Sequence, residues 1–91
     1  MNNKKSRPPS PAEMLKNELE KRNLSQRALA EKLGGTWTPP KVSDIISGKR
    51  GISESSALDL EIALKIPAEK WLKCQMERRL WEERRRRENA L

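Results

Sequence analysis

The chain has 91 residues, enough for one compact domain and too few for two. Apolar residues make up 34% and charged residues 36%, a lean apolar share that leaves part of the chain as solvated tail rather than core. No stretch approaches the about 18 consecutive apolar residues of a membrane-spanning helix, and the polar, basic start has no apolar block behind it, which argues against a secretory signal. A single cysteine, Cys74, and no histidine exclude an internal disulfide and a Cys/His zinc site, so the expectation is a cytoplasmic protein without metal or cofactor.

The net charge of +7 is unevenly placed. Residues 1–9 and residues 84–91 each carry +3, residues 22–52 carry +4, and residues 53–83 carry −2. A basic block beside an acidic one suits a one-sided contact with a polyanion, although loose Lys and Arg also serve solubility alone.

In chain order, residues 1–9, with two prolines and three basic residues, read as a disordered basic arm. Ser10-Pro11-Ala12-Glu13 is a capping-box helix start, and Leu15 and Leu19 form one apolar stripe on a helix ending near Arg22. Ser25 caps a second helix, Gln26 to Leu33, closed by Gly34 and Gly35. Thr38-Pro39-Pro40 opens a third, with Val42, Ile45 and Ile46 inward and Gly48 at its end. Ser53 starts a fourth, with Ile52 as a staple and Ala57, Leu58, Ile62 and Leu64 as core positions. Past Pro67 a fifth begins near Ala68, carries Trp71, Leu72, Met76, Leu80 and Trp81, and extends as a solvated helix to about Glu88. Residues 77–91 therefore read as a charged helical extension of a domain spanning residues 10–76.

Ser25 to Arg50 satisfies the physical needs of a helix-turn-helix: two short helices, a glycine-bearing turn, and basic residues beside the second. Small Ala30 permits a close crossing, and Gln26 sits at a helix N-terminus, where a phosphate can be held. Catalysis has little support. Without histidine the work would fall to carboxylates, none of which has an evident apolar pocket, and nothing near Cys74 in sequence lowers its pKa.

The stretch Leu24-Ser25-Gln26, Leu29-Ala30, Leu33-Gly34, then Val42-Ser43, Ile45-Ile46-Ser47-Gly48-Lys49-Arg50-Gly51-Ile52-Ser53, resembles the XRE (Cro/repressor-like) helix-turn-helix family. With Pro67 to Gln75, ending in Trp71-Leu72-Lys73-Cys74-Gln75, it resembles the HigA-type antitoxins, also called virulence-associated protein I. The resemblance covers residues 10–76. It implies an all-α, five-helix, lambda-repressor-like DNA-binding domain with an extended C-terminal helix. It also implies a homodimeric repressor of its own operon, bound to a palindromic operator on double-stranded DNA and partnered by a RelE-like mRNA-cleaving toxin. The other readings are a stand-alone XRE regulator, an adaptor that binds protein through the C-terminal helix, and an RNA binder using the arginine run, which the absence of Tyr and Phe argues against.

The turn Gly35-Thr36-Trp37-Thr38-Pro39-Pro40 is about two residues longer than the family's. Residues expected at DNA are Gln26, Arg27, Thr36, Trp37, Thr38, Pro39, Pro40, Lys41, Ser43, Asp44, Lys49 and Arg50. Thr38 and Lys41 suit phosphates, Ser43 a base edge, and Asp44 a cytosine amino group or an internal partner, Lys41 or Arg50. Lys49 and Arg50 read as phosphate clamps. Trp37 either packs under the turn or touches the sugar-phosphate wall, and Trp81 lines either a core edge or a partner surface. Arg84 to Arg87 meet DNA, meet an acidic partner, or are merely solvated.

Overall fold

Four of the five helices begin at a residue whose side chain caps them. The computed structural model describes residues 6–90, as five helices: α1 (Pro11–Lys21), α2 (Gln26–Leu33), α3 (Pro39–Ser47), α4 (Glu54–Leu64) and α5 (Ala68–Ala90). Ser10, Ser25, Thr38 and Ser53 each accept a backbone N–H of the first turn, and Ser10 with Glu13 forms a reciprocal capping box. α3 ends at Gly48, whose φ of 86° lies in the left-handed region that glycine enters without steric cost. The described residues contain no strand, and none of their helices is long and apolar enough to cross a membrane.

The helices enclose one core. α1 packs on α3 and α5, α2 on α3 and α4, and α4 on α5. Leu15, Leu29, Val42, Ile45, Leu60, Leu64 and Trp71 are its largest fully buried side chains. Two long-range polar contacts join the ends of elements. The Arg22 guanidinium donates to the Leu64 carbonyl at 2.6 Å, satisfying a free acceptor at the end of α4. The Ala68 N–H donates to Glu61 Oε1 at 2.7 Å, so a side chain of α4 caps α5.

Three expectations change. Leu58 and Ile62 are not core: they are 54% and 70% exposed, while Ala57 and Leu64 face inward as expected and Leu60 and Ala63 join them. The reason is that α4 is apolar on two sides, so helical spacing alone offers two stripes and the packing of α5 selects one. Met76 does not close the core either, being 53% exposed. The third concerns the arm. Residues 6–9 lie along α5: the Pro8 carbonyl accepts from Arg78 Nη1 at 3.0 Å and the Pro9 carbonyl from Cys74 Sγ at 3.2 Å. Arg7 adds an ion pair with Glu13 at 2.9 Å. Residues 1–5 of the expected arm lie outside the described residues.

The Glu13 carboxyl sits at the centre of this attachment. The Ser10 backbone N–H it accepts, together with the Arg7 and Arg78 charges, holds its pKa below the ordinary value against a partial desolvation.

α5 leaves the globule only in its last turns, where residues 84–90 are all exposed. Its 23 residues span about 34 Å, which accounts for much of the 46 Å long dimension. Pairs of Arg78 with Glu82 and of Glu83 with Arg86 and Arg87 line its surface, and Trp81 lies beside the guanidinium groups of Arg78 and Arg85.

Candidate nucleic-acid interface

Val42 and Ile45 are buried, so the opposite side of α3 faces outward. Pro39, Pro40, Ser43 and Ser47 are all exposed, and their spacing of three or four residues puts them along one outer strip of the helix. Thr38 is exposed at its start, with Oγ1 accepting the Lys41 N–H at 3.2 Å and its own hydroxyl proton still available to a ligand. Thr36 is exposed in the turn before it.

At the other end, Gly48 turns the chain and the Arg50 N–H closes on the Asp44 carbonyl at 3.1 Å. Lys49 and Arg50 are exposed, and neither makes an ion pair among the described residues. The Asp44 carboxylate, half-buried, likewise has no ion-pair partner among them, so neither Lys41 nor Arg50 answers it.

α2 brings its first turn to the same region. Gln26 shares a cleft of about 460 Å³ with Ile46 of α3, and Arg27 lines another of similar size with Pro39. Gln26 and Arg27 are both exposed, and Arg27 pairs weakly with Glu31 at 3.8 Å.

Trp37 departs from the expected set. It is 6% exposed, and its indole N–H donates to Asp59 Oδ2 on α4 at 2.8 Å. The lengthened turn is therefore an inward loop pinned by a core tryptophan, and Trp37 has little surface left to offer a duplex. Its ring serves Lys41 instead, whose Nζ lies 4.1 Å from the ring centroid. Replacing Asp59 with alanine leaves that buried N–H without an acceptor and is expected to cost about 1–3 kcal/mol of stability. Asp59→Asn keeps an acceptor oxygen and should cost clearly less, so equal losses in denaturant titrations of the two variants contradict this role.

Two residues of α5 belong to the neighbourhood of the Lys49–Arg50 loop although the sequence does not announce them. Gln75 Oε1 accepts the Ile52 N–H at 2.7 Å while Gln75 Nε2 donates to the Ile52 carbonyl at 2.8 Å, a two-bond grip that copies a strand pairing. One turn further on, the Arg79 guanidinium lies so close over Gly51 that a Cβ there would collide with it. Gln75 closes the stretch Trp71 to Gln75 that carries the HigA resemblance, and that is the one signal that pointed to it.

A helix-turn-helix family model matches residues 15–71, which takes in α2, α3, the turn between them, α4, most of α1 and the first turn of α5. The chain belongs to the helix-turn-helix family. Two solved structures resemble it over most of their length. One, from Nostoc punctiforme, is described as a candidate antidote protein of a plasmid maintenance system. It has a TM-score of 0.83 and 26% identity, over 92% of this chain and 90% of that one. The other, from Pseudomonas aeruginosa, was solved in complex with its 18 bp operator DNA. It has a TM-score of 0.76 and 35% identity, over 85% of this chain and 82% of that one. No curated protein sequence matches this chain. As a helix-turn-helix protein it is a DNA-binding regulator with the five-helix architecture read from its sequence.

Proposed function

We propose that this protein is a homodimeric repressor that binds a palindromic operator of its own operon, and that it is a HigA-type antitoxin whose partner is a RelE-like toxin. The observation that carries the DNA-binding half is the exposed outer strip of α3, flanked by the free cations Lys49 and Arg50 and by the N-terminus of α2 at Gln26. On this reading Ser43 and Asp44 read base edges, the acid accepting from a cytosine amino group. Gln26, Arg27, Thr38 and Lys41 hold phosphates beside them. Thr36, Pro39 and Pro40 abut the groove wall. The operator-bound relative supports the repressor reading, and the antidote description of the other supports the toxin partnership.

A symmetric operator calls for two copies, and α4 and α5 offer a surface for the second. Leu58 and Ile62 form an exposed stripe on α4; Met76 and Leu80 form one on α5, next to Leu72, which is half-buried against the core. Glu54, one turn before Leu58, shares a cleft of about 400 Å³ with that α5 stripe, so the two adjoin. Exposed apolar stripes on two adjoining helices of so small a domain are what self-association covers. Half-sites then lie about 10 bp apart, a spacing that an 18 bp duplex accommodates. The protein acts in the cytoplasm, where its operon is.

The deciding experiment is a titration of the purified protein with the DNA upstream of its own gene against a scrambled duplex, across a salt series. A preference of about 10³-fold or more with a symmetric footprint is expected. Equal, weak and steeply salt-dependent binding to both duplexes overturns the operator reading. Co-purification of a small basic protein separates an antitoxin from a stand-alone regulator. In the same assay, Lys49→Ala with Arg50→Ala should weaken binding to both duplexes alike and lower the salt slope by about two units. A loss confined to one sequence refutes the phosphate assignment.

A further inference from the structure

Three arginines line a cleft of about 300 Å³ between the start of α1, the end of α3 and the middle of α5: Arg50, Arg78 and Arg79. Glu82 is the one acidic residue there, and its carboxylate is already bound to Arg78 Nε at 3.0 Å. Arg78 is further engaged by the Pro8 carbonyl and by Glu13. Arg50 and Arg79 have no ion-pair partner among the described residues, and both are exposed. Two uncompensated guanidinium groups in one cleft repel each other, and an anion placed between or beside them removes that cost.

The local backbone keeps Arg79 there. Gly51 has no side chain, so the guanidinium lies directly over the loop, and Gln75 one turn earlier fixes Ile52 to the same helix face. α5 thus carries a cation to the side of the loop that bears Arg50, the neighbour of Lys49. We propose that Arg79 is a DNA-contacting residue that binds a backbone phosphodiester beside those held by Lys49 and Arg50. It extends the footprint from the helix-turn-helix onto α5. The inference rests on the DNA-binding reading of that loop but not on the existence of an operator, because a phosphate contact is independent of base sequence.

The test compares the wild type, Arg79→Gln and Arg79→Lys for binding to the upstream duplex and to the scrambled one between 50 and 200 mM salt. One lost phosphate contact lowers the slope of log K against log salt by about 0.9. The variant Arg79→Gln should therefore lose about 3.5-fold less affinity than the wild type over that fourfold rise in salt. The change should be equal on both duplexes, and Arg79→Lys should keep the wild-type slope. Melting temperatures of the three proteins should agree, since the side chain is exposed. An unchanged slope in Arg79→Gln, with or without a lower melting temperature, overturns the proposal and leaves Arg79 as a cover over Gly51. So does an effect on one duplex only. If the wild type itself shows no preference for the upstream duplex, the operator reading fails, yet the slopes still decide the role of Arg79.

Discussion

Trp71→Ala is expected to remove most of the stability of this domain. The side chain is fully buried, the largest such residue in the core, and it sits where α5 closes over α4. Truncating a buried tryptophan costs about 3–5 kcal/mol, from lost transfer energy and from the cavity left behind. A domain of this size has about 5–15 kcal/mol in total, with small chains at the lower end. The indole N–H of Trp71 has no hydrogen-bond partner among the described residues, so part of what the ring contributes is already offset by a buried unpaired donor. Trp71→Phe deletes that donor and keeps most of the volume. It should therefore cost much less than the alanine variant. Guanidinium titrations of both proteins check this, and a loss below about 1 kcal/mol for Trp71→Ala would mean that the α4–α5 closure is not part of the stable core.

Placing acids at both Leu58 and Ile62 should leave the fold intact and abolish tight operator binding. Both side chains are more than half exposed, so aspartate there buries no charge within one copy. Across a self-associated α4–α5 face the same substitutions set four carboxylates against apolar neighbours. Two linked half-site contacts exceed one by about 10²- to 10⁴-fold in affinity, and that factor disappears with the dimer. Sedimentation should report a monomer, with unchanged circular dichroism. A variant that remains dimeric with wild-type affinity moves the interface to another surface.

Much of the fold is legible in the chain because helix ends are local chemistry. Ser10, Ser25, Thr38 and Ser53 satisfy backbone donors three residues on, and Gly34 and Gly48 supply positive-φ closures, so their effect does not depend on the rest of the molecule. What the chain hides is set by partners distant in sequence. Leu60 and Ile62 are equally apolar, and only the position of α5 decides that one is buried and the other is not. Trp37 finds its acceptor at Asp59, 22 residues on, and Gln75 finds the Ile52 backbone 23 residues back. Residues 6–9 look like solvated tail because two prolines and an arginine cannot build a helix or a core. Their carbonyls nevertheless meet donors on α5, more than 60 residues away. The interface follows the same division. The outer strip of α3 and the Lys49–Arg50 loop can be read from local spacing, whereas Arg79 comes to that loop only through tertiary packing.

The thiol of Cys74 is 9% exposed and donates to the Pro9 carbonyl. Burial leads in pushing its pKa up, with the nearby charges of Glu77 and Glu13 adding to it. A thiol so placed reacts with an alkylating reagent only after the segment over it lifts, since attack needs both access and the thiolate. The rate at which the folded protein is labelled, divided by the rate for the denatured chain, is thus a clock for the peeling of residues 6–9 from α5. Read with bound DNA and without, that clock reports how far a duplex on α3 quiets the segment packed on α5.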